Sequence, residues 1–406
     1  MRVNRAFGLF SSFAFASIAT FEVTVNEYGE GSHPTAITVV LLAILLIHGL
    51  IHLRFRITRE ILLSIGFLSY ELLSLSWTVN MKAAMITFPV LVNFTLVLIL
   101  FSSLAAYDDV GMLLAGIFAG VLAGAALYTL TSGFPFTFPD DFSYNTIAGM
   151  YVFGLFITVV FGAYIRSTVL TLSVGVVLML LIAATTSIKS NLGVALGIVG
   201  AGVLYFKASA KDLVKGMLLL AILGAGLAYV ITSNPALTDR VQNGFGRVST
   251  GLAVLTNREG DSVGLGTRQE WKREGLKGWS VNPIFGHGVE GFRSEFGITS
   301  HSTPVDLLYN WGLIGFSLFY GMLASIAWRL HTASGARWRG VRARMAAFLI
   351  SYLFMSLSGN LYYEPFLAIF VALSSVLLVR LGAVTESGPD STAAADDRAY
   401  EPVTKT

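Results

Sequence analysis

The sequence predicts an all-α, polytopic integral membrane protein of about twelve transmembrane helices, with one large extracytoplasmic loop between spans 9 and 10. Three observations predict it. Only 13% of the 406 residues are charged and 54% are hydrophobic, at a mean hydropathy of +0.70, whereas soluble domains carry about 25% charged residues. The apolar runs reach spanning length, about 16–25 residues. They are also continuous rather than alternating, which predicts helices and not barrel strands.

In order, the runs cover approximately 6–21, 36–53, 61–77, 83–105, 110–131, 146–165, 168–187, 191–206, 212–233, 303–329, 345–361 and 365–382. Ala14–Phe15–Ala16 and Ile18–Ala19 mimic a signal-peptide cleavage region. The run is long and leads into further spans, so an uncleaved first helix is expected. The chain thus divides into helices 1–9 over 1–233, a loop over 234–302, helices 10–12 over 303–384 and a tail over 385–406. The tail's Ala, Ser, Thr, Asp, Glu and Pro content predicts disorder. No repeat of fixed period is present.

Alternate connections are basic. One set holds Arg2 and Arg5; Arg54, Arg56 and Arg59; Arg166; Lys207, Lys211 and Lys215; and Arg329, Arg337, Arg339, Arg342 and Arg344. The other short connections hold Lys82 and Lys189 with acidic Glu22, Glu27, Glu30, Asp140 and Asp141. The positive-inside rule then places both termini in the cytoplasm and 234–302 outside, with Tyr107–Asp108–Asp109 the one connection lacking a basic residue. The absence of cysteine excludes disulfides and thiolate metal sites. A net charge of +3 says little about partners; the bilayer is an expected partner and nucleic acid is not.

Thr267–Arg268–Gln269–Glu270 reads as a capping box opening a helix. Trp271, Leu276 and Trp279 follow among Lys272, Arg273 and Lys277, giving an amphipathic helix that either lies at the membrane surface or packs on the bundle. The eight basic residues of the loop are nearly balanced by Asp239, Glu259, Asp261, Glu270, Glu274, Glu290 and Glu295. Any anion site must therefore come from a few convergent cations. A second helix start sits at Thr303–Pro304–Val305–Asp306, with Thr as cap, Pro in the first turn and Asp at the positive end of the dipole.

The stretch from Asn282 to Phe292 is rich in glycine and carries His287, and His301–Ser302 follows it. Glycines let a backbone approach a bulky ligand or turn sharply. With Arg and His at a membrane face, the segment is either a site for an anionic headgroup or a structured loop with solvated charges. Lys189 lies among small polar residues, Thr185 to Asn191, at the exterior junction of spans 7 and 8. There it either snorkels or serves a ligand. Glu71 inside span 3 is a structural partner for a cation or a functional acid.

These features together resemble the O-antigen ligase and polymerase superfamily of bacterial envelope glycosyltransferases. Arg268 stands just ahead of Trp271 at a helix start. A Pro-x-x-Gly-x-Gly pattern ending in an aromatic is met by Pro283, Gly286, Gly288 and Phe292. His301–Ser302, nine residues and then Gly312-x-x-Gly315 follow. The polar turn with a basic residue matches through Lys189, where the family usually has Arg, and Pro365–Phe366 match a late Pro–Phe. The motifs fall in about 185–320.

The resemblance implies transfer of a glycan from an undecaprenyl-diphosphate carrier to a sugar hydroxyl, at the periplasmic face of the bacterial inner membrane. The acceptor is lipid A–core for a ligase, which the His–Ser–x9–Gly element favours slightly, or another carrier-linked glycan repeat for a polymerase. His301 and Arg268 are then catalytic, Lys189, Arg268 and Arg293 hold the diphosphate, and Gly286, Gly288 and Gly291 shape the loop. Cations suit a lipid-diphosphate leaving group, and His suits a base near neutral pH. No cofactor is expected. No Asp-x-Asp pair stands on an exterior loop, so no metal is expected either. A secondary transporter or lipid flippase is the reading from a different class, and a cell-wall glycan polymerase of the shape and division family is a further one. Transporters tend to show paired halves and mid-membrane polar sites, whereas here the halves look dissimilar and the polar residues gather on one face.

Overall fold

A computed structural model describes residues 2–25, 34–52, 57–107, 110–133, 144–162, 168–185, 187–205, 265–332 and 336–386, with isolated positions at 55 and between 232 and 242. Among the described residues the secondary structure is entirely helical. In chain order the helices are α1 (Arg2–Val25), α2 (Pro34–His52), α3 (Arg59–Ser74), α4 (Met81–Tyr107), α5 (Val110–Ser132), α6 (Tyr144–Phe161), α7 (Thr168–Ala184) and α8 (Ile188–Tyr205). After the gap come α9 (Leu265–Trp279), α10 (Gly291–Phe296), α11 (Thr303–Thr332), α12 (Ala336–Ser356) and α13 (Pro365–Glu386). Helices lie over each predicted run except 212–233, which falls almost wholly outside the described residues, as does the loop from 240 to 264 apart from 242.

Among the described residues, three helices, α4, α5 and α11, are long and apolar enough to cross a membrane by length and composition. Shorter apolar helices cover Ala6–Thr20, Val39–Ile51, Ile147–Phe161, Thr171–Ala184 and Pro365–Val379. This is the make-up of a membrane protein. Lipid tails are as apolar as leucine, so such helices associate through close van der Waals contact rather than through the hydrophobic effect. Small residues make the contact close. Gly116, Gly120 and Gly124 line one face of α5, and a Cβ on Gly120 would stand 2.6 Å from the Phe13 carbonyl oxygen of α1. Gly193, Gly197 and Gly200 of α8 meet α12 in the same way, where the Ser351 hydroxyl donates to the Gly193 carbonyl.

α3 and α11 run antiparallel. At one end, buried Glu60 takes the Arg329 guanidinium and the Ser325 hydroxyl, the latter at 2.8 Å. Ser64, Phe67, Glu71 and Ser74 continue the buried stripe of α3 at helical spacing. Phe67 packs edge-on against Trp311, with centroids 5.4 Å apart. Glu71 is fully buried in this stripe, and neither carboxylate oxygen has a hydrogen-bond partner among the described residues.

α11 is broken at Gly312, whose φ of 59° and ψ of −161° lie outside helical space. A break leaves backbone groups without their intrahelical partners, and segment 283–288 supplies replacements. Leu313 N donates to Pro283 O at 2.9 Å and Ile314 N to Ile284 O at 3.3 Å. On the other side of the break, His287 N donates to Tyr309 O at 2.9 Å and Gly288 N to Asn310 O at 2.8 Å.

Three local expectations change. α9 begins at Leu265, so Thr267 lies inside the helix and not at its cap. Thr303 is the first residue of α11 but caps nothing in it. Its hydroxyl donates to Gly359 O at 2.7 Å and accepts from Leu361 N at 2.8 Å, fastening α11 to the α12–α13 loop. Ser302 O takes the Asp306 amide at 2.9 Å instead. α13 extends to Glu386, two residues into the segment assigned to the tail; the remainder lies outside the described residues.

Candidate functional site

α9 carries Arg268, Trp271, Lys272 and Gly275 on one face, as spacings of three and four residues require. That face lies on α11. A Cβ on Gly275 would stand 2.6 Å from Val305 Cγ1 and 2.8 Å from Phe292 Cε2, so glycine is what allows the close approach. Of the two expectations for this helix, packing on the bundle describes its glycine face. Arg273 and Lys277 remain exposed, the latter in a surface pair with Glu274 at 3.4 Å that contributes little.

His301 stands in the turn that enters α11, half-buried, between buried Ser300 and Ser302. Its φ of 53° is in the left-handed region. The imidazole faces Trp271, centroid to centroid 5.7 Å. Burial lowers the imidazole pKa from 6.5 to about 4, with the charges of Arg268, Lys189 and Lys272 adding to the effect. His301 is therefore neutral at ordinary pH, and its titration falls far below the 6.5 of an unperturbed ring. Lys272 is itself pushed down, by burial first and then by Arg268.

The cations have distinct anchors. Lys272 Nζ donates to Leu357 O at 2.6 Å. Lys189, in the first turn of α8, brings its Nζ to 2.5 Å from the place a Cβ on Gly359 would take. Gly359 O in turn accepts from Thr303 N at 3.1 Å. Four distant stretches of chain, around 189, 268–272, 301–303 and 357–359, thus meet at one end of the bundle, with His301, Arg268 and Lys189 brought together. Lys272 joins them although the sequence reading gave it no role. Its position four residues after Arg268 on a helix was the signal available.

The loop glycines let backbones touch, and Gly286 also lines a cavity of about 490 Å³ with Trp77, Asn282 and His287. Gly286 and Gly288 have φ of 71° and 87°. A Cβ on Gly286 would stand 2.5 Å from Asn310 O, and one on Gly288 2.8 Å from Thr78 Cα. Gly291 opens α10, and its amide donates to Gly288 O at 3.1 Å. His287 stacks on Tyr309 at 4.4 Å, with Nε2 3.1 Å from Gly278 O, and so braces the loop. Arg293 is exposed on α10, and its charge acts on Glu290. Burial pushes that carboxyl up, while a 2.8 Å hydrogen bond from Thr87 and the Arg293 charge oppose the shift.

Beside the cations, an apolar groove of about 620 Å³ runs between α8, α11 and α12. Leu196, Gly200, Pro304, Tyr320, Ile350 and Leu357 are among its lining residues. Pro304 follows Thr303, and Leu357 carries the carbonyl that holds Lys272. Three cations, a neutral imidazole and an adjoining apolar groove can hold a polyanion attached to a hydrocarbon chain. Neither a scan against protein-family models nor a search of curated proteins finds a match to the chain.

Proposed function

We propose that this protein is a membrane glycosyltransferase that moves a glycan from an undecaprenyl-diphosphate carrier to a sugar hydroxyl at the periplasmic face of the bacterial inner membrane. One observation carries the reading: His301, held neutral, stands among Arg268, Lys189 and Lys272 at one end of a bundle of apolar helices. The full topology of twelve spans with an outer loop over 234–302 is part of the proposal.

In the proposed reaction the cations hold the diphosphate, with Arg268 presenting its planar fork to phosphate oxygens. The acceptor hydroxyl gives its proton to the unprotonated imidazole nitrogen of His301, and its oxygen bonds to the anomeric carbon. The bond from that carbon to the phosphate oxygen breaks, and its electron pair leaves with the diphosphate. Charge that grows on the leaving group meets preorganised cations in a water-poor site, where they act most strongly. The groove accommodates part of the isoprenoid chain. The resemblance carries lipid A–core as the acceptor. Transport is the weaker reading, since the cations gather at one end rather than near a midplane.

The test is to supply the purified protein in lipid nanodiscs with carrier-linked oligosaccharide and candidate acceptors, with and without chelator. A glycan joined to lipid A–core supports ligation, and longer carrier-linked chains indicate polymerisation. Movement of intact donor between leaflets without bond transfer would sink the proposal.

A further inference from the structure

Asp306 is buried in the first turn of α11 and accepts from two segments at once. Its Oδ1 takes the Ser300 amide at 3.2 Å. Its Oδ2 takes Asn360 Nδ2 and the Tyr362 hydroxyl, each at 3.1 Å. Ser300 and Ser302 flank His301, and their mutual bonds close the turn: Ser300 Oγ donates to Ser302 O at 2.9 Å, and Ser302 N to Ser300 Oγ at 3.2 Å. A non-glycine residue in the left-handed region persists only where its surroundings over-determine it. Thr303 fastens one side of the turn to Gly359 and Leu361, and the Ser300 side is held through the Asp306 carboxylate. Asn360 and Tyr362 adjoin Gly359, which abuts Lys189, and lie a few residues from Leu357, which anchors Lys272.

We propose that Asp306 is the positioning residue of the site. Its carboxylate pins the Ser300–His301–Ser302 turn to the α12–α13 loop, so that the imidazole keeps its place among the cations. Asp306 acts through His301 and does not itself meet the reacting atoms. Helix dipole alone does not explain it, because an exposed first-turn carboxylate would serve the dipole equally well. The consequence for turnover rests on the transferase reading; the geometric claim does not.

The groups that face His301 are Arg268, Trp271 and Lys272 from α9 and Lys189 from α8. If Asp306 keeps the ring among them, releasing the turn lets the ring reach water. The experiment follows the ring by NMR in full-length protein with labelled histidine, His301 being assigned by its loss in His301→Gln. In the wild-type protein the midpoint should lie at about 4. In Asp306→Ala it should rise by more than about one unit toward 6.5, and kcat should fall by about 10²-fold, as expected for a misplaced group. Donor KM should stay within about threefold of wild type. Asp306→Asn keeps the size but offers one acceptor oxygen to three donors, and should shift the midpoint in the same direction by less. A merely structural role lowers the amount of folded protein without moving the midpoint. An unmoved His301 titration in folded Asp306→Ala, or in folded Asp306→Asn should the alanine variant not fold, overturns the proposal. Absence of transfer with every donor, alongside a shifted midpoint, would instead count against the transferase reading alone.

Discussion

Trp271 and His301 stand 5.7 Å apart, centroid to centroid, with ring planes at 34°. The pair ties the middle of α9 to the entrance of α11. Through it, α9 bears on a residue thirty positions later in the chain. Trp271 contributes burial, which is the first cause of the lowered His301 pKa.

The pH dependence follows. The unfolded chain takes up a proton on His301 near pH 6.5, and the folded protein only at about 4. This histidine's contribution to stability is therefore full above about 6.5 and is lost as pH falls toward 4, since the unfolded state binds more protons in that window. Neutral imidazole in the free protein persists down to about 4, so the acid limb of kcat/KM should lie there. The limb of kcat would report the proposed donor complex, in which a diphosphate would offset the cations, and should sit closer to 6.5. Trp271→Ala should raise the kcat/KM limb. Coincident limbs, both near 6.5 in the wild-type protein, would contradict the site as described.

Arg268→Ala and Lys272→Ala should each weaken binding of a fluorescent lipid diphosphate, by roughly 10- to 10²-fold, the value of a charge-assisted hydrogen bond. Arg268→Lys should recover only part of the loss, because an ammonium cannot present a bidentate fork. Arg293→Ala should change affinity by less than about threefold, since its charge bears on Glu290. Equilibrium binding at two salt concentrations distinguishes these outcomes.

Gly312→Ala should destabilise the protein by roughly 3 kcal/mol, combining a strained backbone with an overpacked contact. Its Cβ would run into the Ile284 carbonyl, and φ there is 59°. Gly340→Ala meets open space and serves as the control. Thermal unfolding in detergent, followed by tryptophan fluorescence, measures the difference.

Single cysteines at Lys277 and Thr332, both exposed, should react with an impermeant maleimide from opposite sides of the membrane. Labelling of both from one side of oriented vesicles would overturn the proposed topology of α11.

What the sequence by itself determined is the helical class and most helix positions, because these are local properties. A continuous apolar run has one way to satisfy its backbone in lipid, whatever its neighbours. It also marked Lys189, a charge among small polar residues beside apolar spans, whereas Arg268 and His301 sit in a loop full of charges and were marked through the resemblance. The tertiary structure decided the rest. Thr303 looked like a cap, yet its hydroxyl reaches the α12–α13 loop, and no local pattern encodes a partner 56 positions away. The Gly312-x-x-Gly315 pair was legible but the break at Gly312 was not, because a helix tolerates glycine; the break exists because segment 283–288 is there to take the freed groups. Likewise the lowered pKa of His301 is a sum over burial and three charges from two helices. Such sums depend on distance in space, which sequence spacing does not give.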